Sequence, residues 1–141
     1  MGVTLSGKTK NGHNFKHLDM SYYQFFKFRT RIATLIDAEL GKKYGEPVSD
    51  ADKWDAEMTE LINKKDLCKT KKDEKLLDFL FAPDTNGEAT YGTCKRIYDM
   101  LASEPDAEKL GYAGRDDCTT MGDIKKLLFD IYEKKSKLTW L

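Results

Sequence analysis

The sequence predicts a mainly α, α+β fold: a compact bundle of about five helices with a small antiparallel sheet pairing the N- and C-terminal strands. Three observations carry this prediction. The stretch Ser21–Leu40 lacks proline and glycine and repeats Tyr22, Phe25, Phe28, Ile32, Ile36 and Leu40 at helical spacing, with Phe26 and Leu35 widening the apolar face. A second amphipathic stretch near the end carries Met121, Ile124, Leu127, Leu128, Ile131 and Tyr132 on one side and Lys125, Lys126, Glu133, Lys134 and Lys135 on the other. Short runs at the two ends, Val3–Leu5 and Leu138–Leu141, read as strands and as each other's partners. The 141 residues suit one domain, 1–141, built around a single core.

Taken in order, Asn11-Gly12 predicts a type I′ hairpin turn between Val3–Leu5 and His13–Leu18, since both central positions of that turn need positive φ. Ser21 with Gln24 reads as a capping box opening the central helix. Gly41, Gly45 and Pro47 supply its stop signals. Ser49 or Asp50 caps a second helix with Trp54, Met58, Leu61 and Ile62 on one stripe, Trp54 being core packing or a stacking surface. Thr70 with Asp73 opens a third, turning Leu76, Leu77, Leu80 and Phe81 inward. Thr90 caps a fourth, running to about Ser103 and burying Cys94, Ile97, Tyr98 and Leu101. Pro105–Asp117 is a loop with one helical turn around Ala107–Leu110, and Gly111, Gly114 and Arg115–Asp117 are turn chemistry. The last helix begins at Thr119 or Thr120 with Asp123 near its positive end, and is the expected packing partner of the central one.

Composition narrows the function. With 34% charged residues but 24 basic against 24 acidic, the chain has no overall basic excess, so a nucleic-acid binder would need a local patch. Nothing reads as a membrane span or a secretory signal, and three widely spaced cysteines, Cys68, Cys94 and Cys118, suit free thiols in a reducing cytoplasm. There is no nucleophile elbow, phosphate-cradling glycine loop or metal triad, so no catalytic residue is nominated and the protein is not expected to be an enzyme. His13 and His17 are four apart, but their segment is not convincingly helical and only Asp19 is near as a third ligand.

Three sets of residues remain as binding candidates. Arg29, with Tyr23 and Arg31, lies beside the apolar stripe of the central helix and is a candidate protein contact; the alternative is an arginine at the core edge that pairs with a carboxylate or caps carbonyls. Asp84, Asn86 and Gly87 match positions three, five and six of an EF-hand loop running 82–93, with Glu88 as a further carboxylate. Position twelve is Thr93, so the bidentate glutamate is missing; the segment is a tight turn or a weak calcium or magnesium site, the one cofactor considered. The lysine-rich stretch 64–75, with Lys69, Lys71 and Lys72, is a candidate phosphate track, although acidic residues interrupt it and no aromatic is interleaved.

Ser21, Tyr22, Phe25, Phe28, Arg29 and Ala33 fit the pattern S-Y-x-x-F-x-x-F-R-x-x-x-A, which resembles a family of small uncharacterised phage and prophage proteins. Asp84, Asn86, Gly87, Glu88, Thr90 and Cys94 match that family's D-x-[DN]-G-E loop in register, and Met121–Leu141 is similar to its closing helix and strand. The chain departs from the pattern at Ala82, where the family has histidine or asparagine, and at Thr93, where it has glutamate. The resemblance implies a cytoplasmic, phage-derived accessory protein and brings no activity with it. The expected function is therefore non-enzymatic binding to a host or phage protein. The alternatives are a weak divalent-cation module through 82–93 and nucleic-acid binding through 64–75, with Lys134–Lys137 as a further stretch, and oligomeric state is left open.

Overall fold

All six helices among the described residues begin where a side chain accepts a backbone N–H that has no partner inside the helix. The caps foreseen at Ser21, Thr70, Thr90 and Thr120 are all present, and Asp50 takes the role offered to it or Ser49. Thr70/Asp73 and Thr120/Asp123 form full reciprocal boxes. Ser21 makes only half of one: it accepts from the Gln24 N–H at 3.1 Å, while the buried Gln24 Oε1 has no partner.

The computed structural model describes residues 2–111 and 118–141. Its elements are β1 (Gly2–Lys8), β2 (Asn14–Ser21), α1 (Tyr22–Ile36), α2 (Ala38–Tyr44), α3 (Ala51–Lys64), α4 (Lys71–Phe81), β3 (Gly87–Thr90), α5 (Tyr91–Met100), α6 (Met121–Glu133) and β4 (Lys137–Trp140). The four strands form one antiparallel sheet in the order β2-β1-β4-β3. The terminal strands pair as expected, with Leu5 opposite Trp140 and Lys8 opposite Lys137. The fold is thus α+β, with six helices among the described residues where about five were expected.

Several expectations need correction. The central stretch is two helices, because Asp37 is extended (φ −163°, ψ 133°) and its carboxylate caps the Leu40 N–H. Burial pushes the Asp37 carboxyl upward, but the Leu40 N–H and the Lys65 ammonium outweigh it and hold it below its ordinary value. Gly41 is therefore no stop signal. It sits inside α2, where a Cβ would come within 2.0 Å of Thr34 Oγ1, so it permits the close approach of α1 and α2. The hairpin turn is not type I′: only Gly12 has positive φ (84°), and Gly12 N–H donates to Thr9 O at 3.0 Å, closing a loop of Lys10, Asn11 and Gly12. Around Ala107–Leu110 there is no helical turn; Lys109 forms a bridge with Thr120. Gly114 and Arg115–Asp117 lie outside the described residues. Phe81 does not point fully inward but sits at the margin between Tyr44 and Trp54.

The two long amphipathic helices share one core without packing on each other. Phe25, Phe28, Leu127 and Ile131 are all buried in it, yet no Cα of α1 lies within 8 Å of one in α6. Both helices instead pack on α5 and β1. Trp140 sits at the middle of the core, its ring 5.6 Å from that of Phe25 and 5.5 Å from that of Phe79.

The end of α4 is closed by side chains from elsewhere. The last carbonyls of a helix lack intrahelical donors. Here Arg29 donates to Phe79 O (3.1 Å) and Ala82 O (2.7 Å), Tyr44 to Leu80 O (2.6 Å), and Trp140 Nε1 to Pro83 O (2.9 Å). Burial at this position pushes the Tyr44 hydroxyl up to about 12.

Gly87 faces Trp140 across β3 and β4, and a Cβ there would come within 2.2 Å of the indole ring. The ring is held by Phe25 and Phe79 and has nowhere to go. Gly87→Ala is expected to cost about 2 kcal/mol through overpacking, whereas Gly92→Ala, with nothing within 4 Å of the new carbon, leaves stability unchanged or slightly higher. Urea unfolding of both variants checks the contrast.

Candidate functional site

The candidate protein contacts do not form a surface. Arg29 is only 2% exposed. Its guanidinium caps the α4 carbonyls, ion-pairs with Asp84 and stacks 4.5 Å from the centre of the Phe25 ring. It is a core residue that no partner can reach, the carbonyl-capping alternative stated above. Arg31 is occupied on α1 by Glu104 (3.0 Å) and Glu108 (2.6 Å). The Glu108 hydrogen bond raises the arginine and lowers the carboxyl. Tyr23 alone stays open, at 67% exposure, with Lys27 over its ring.

The 82–93 segment is a connection, the strand β3 and the first turn of α5. Asp84 gives its carboxylate to Arg29, Asn86 is exposed, and Glu88 lies on β3 and pairs with Lys137 at 3.0 Å. The two carboxylates therefore answer cations in different directions. Gly87 is glycine because of Trp140, not because a bend needs positive φ. Among the described residues no three His, Cys, Asp or Glu side chains are grouped to hold a metal ion. His17 lies on β2 and shares a 2.8 Å hydrogen bond with Ser6 Oγ. Trp54 packs its indole edge-on to Phe81 and donates to Lys43 O, a packing role. Cys94 is fully buried, and burial pushes its thiol up to about 12, so it is no nucleophile at neutral pH.

The lysine-rich stretch disperses when folded. Lys65 turns to Asp37 and Glu39, Lys69 stays beside Asp66 at 4.0 Å, and Lys71 is exposed at the start of α4. Lys72 and Lys75 line a concave surface, and there they meet cations from elsewhere in the chain.

That surface consists of two clefts sharing Thr90. One, of about 600 Å³, lies at the end of the sheet and collects Lys8, Lys10, Lys135 and Lys137 around the hairpin tip. The other, of about 470 Å³, lies between α4 and the first turns of α5 and collects Lys72, Lys75, Lys95 and Arg96. Against these cations the two linings hold one carboxylate, Asp99, which pairs with Lys95 at 2.6 Å. Arg96 is held from behind by Asp73 at 2.6 Å, and the Arg96 hydrogen bond keeps that carboxyl below its ordinary value. Lys8, Lys10, Lys72, Lys75 and Lys135 take part in no ion pair among the described residues. A third cleft, beside Trp54, mixes Lys43 and Lys53 with Glu46, Asp50 and Glu57, and there Lys43 pairs with Glu57.

The register explains how these cations meet. Lys8 and Thr90 both lie opposite Lys137 on neighbouring strands, which brings the hairpin tip, the start of α5 and the α6–β4 turn to one edge. No stretch of sequence displays this, since the cations come from β1, its hairpin loop, α4, α5, the α6–β4 turn and β4. No helix among the described residues is long and apolar enough to cross a membrane. No family model matches the chain, and neither does any curated protein or solved structure.

Arg29→Met keeps the aliphatic stem over Phe25 but removes the donors to Phe79 O and Ala82 O. It is expected to cost about 3 kcal/mol. Asp84→Ala, at a half-exposed partner, costs under about 1 kcal/mol. Urea midpoints for both variants measure the difference.

Proposed function

We propose that this protein is a non-enzymatic nucleic-acid-binding protein, an accessory protein of the phage or prophage type acting in the cytoplasm. The observation that carries the binding reading is the segregation of charge. A chain with equal numbers of acidic and basic residues lines two neighbouring clefts with lysine and arginine and places a single carboxylate among them. Such a concave basic strip raises the local concentration of a polyanion and binds phosphates with release of their counterions. The N-terminus of α5 opens into the strip and adds its positive dipole end. The phage-like motifs at Ser21–Ala33 and Asp84–Cys94 support the accessory role, and the free cysteines support the compartment. A protein-docking role through Arg29 and Arg31 has lost its contacts, both being occupied inside the fold.

A labelled oligonucleotide of about 16 nucleotides is expected to shift the protein at low salt. With about five unpaired lysines engaged, the logarithm of affinity falls with a slope of about −3.5 against the logarithm of salt, roughly a hundredfold loss between about 50 and 200 mM. The double reversal Lys72→Glu, Lys75→Glu is expected to lower affinity at least about tenfold, and Lys53→Glu, in the mixed-charge cleft, to change it less than about twofold. Salt-independent association, or equal losses from the two reversals, overturns the proposal.

A further inference from the structure

The strip carries a second feature that phosphate binding does not use. Tyr91 opens α5 and lines one cleft, Tyr132 comes from α6 and lines the other, and their rings lie 6.4 Å apart. Beside them Tyr98 and Phe129 form a second ring pair at 5.4 Å. Lys95 joins the pairs, its ammonium 5.5 Å from the Tyr98 ring and 5.6 Å from the Tyr132 ring. Tyr91, Tyr132 and Phe129 are 40%, 37% and 38% exposed, three of the eight large apolar side chains left this open among the described residues. Elsewhere such side chains are scattered; here they touch and border the cations.

Resting on the nucleic-acid reading above, we infer that the bound strand is single and that its bases stack on Tyr91 and Tyr132, with Phe129 and Tyr98 extending the platform. In a duplex each base already stacks on its neighbours and presents only phosphates, sugars and groove edges, which would leave these rings wet. An unpaired strand offers its backbone to the lysines and its base faces to the rings together, the combination on which sequence-tolerant single-strand binding depends. The platform is rigid because its residues are spaced along two packed helices, at 91, 95 and 98 on α5 and at 129 and 132 on α6. The interleaving of aromatics with cations that 64–75 lacks in sequence is thus present in space.

The test measures affinity by anisotropy for labelled oligo(dT) and oligo(U), for a duplex of the same length, and for polyglutamate as a competitor. Single strands are expected to bind at least about tenfold tighter than the duplex. The double variant Tyr91→Ala, Tyr132→Ala is expected to lose about ten- to hundredfold on single strands while duplex affinity stays within about twofold, and Tyr91→Phe, Tyr132→Phe to keep single-strand affinity. In the wild type, oligo(dT) should move the ring-proton resonances of Tyr91 and Tyr132 upfield, which needs no variant to fold. A duplex bound as tightly as the single strand, an alanine variant that binds normally, or unmoved ring resonances overturns the stacking inference and leaves the phosphate reading standing. Polyglutamate competing as well as an oligonucleotide makes the occupant an acidic protein and overturns both readings, as does failure to bind any polyanion at about 50 mM salt.

Discussion

The backbone carbonyls of Phe79 and Leu80, buried at the end of α4, have to find donors, as do those of Ala82 and Pro83 just beyond it, and the rest of the fold is arranged around supplying them. A buried carbonyl without a donor costs on the order of 1–3 kcal/mol, so leaving several open would consume much of the stability of a chain this size. The donors come from three separate places: Arg29 on α1, Tyr44 at the end of α2 and Trp140 on β4. Each is also a packing residue, Arg29 against Phe25, Tyr44 against Phe26, and Trp140 against Phe25 and Phe79. The polar and apolar demands of the core are therefore met by the same side chains, which ties α1, α2 and β4 to one point.

Local chemistry was the legible part of the sequence. The caps at Ser21, Asp50, Thr70, Thr90 and Thr120 act within one turn, so their effect can be read without knowing the fold. The pairing of the two terminal strands followed from their alternation and came out in antiparallel register. What could not be read was anything decided by distant partners. The apolar period runs unbroken from Tyr22 to Leu40 and hides the local cap that Asp37 gives the Leu40 N–H; Lys65, just past α3, also holds that carboxylate. Gly41 and Gly87 look like turn residues and are in fact contact residues, required by Thr34 and Trp140. The four residues of β3 are too few to show a period.

The candidate site was harder still. Scanning for a basic run finds 64–75, of which the strip uses only Lys72 and Lys75. Lys135 and Lys137 come from the short run 134–137, while Lys8, Lys10, Lys95 and Arg96 look like ordinary surface charge until strand register and helix packing collect them. Phe129 and Tyr23 are exposed although their neighbours in the same helices are core, and Trp140, at the end of the last strand, is core. A neutral total charge concealed the segregation, because carboxylates such as Glu104, Glu108 and Asp37 are used to fasten elements together elsewhere.

The strand order has a kinetic consequence. β1 has β2 as one neighbour, reached through a short hairpin, and β4 as the other, with Thr139 Oγ1 donating to a carbonyl 133 residues away at Ser6. Joining those strands closes nearly the whole polypeptide into one loop, an entropic cost of about 4 kcal/mol on length alone. Before that closure the β1–β2 hairpin can form by itself and β3 can pair with β4, but the two halves of the sheet stay apart. The complete sheet therefore depends on one pairing of very high sequence separation, a topology that slows folding relative to what helix content alone suggests.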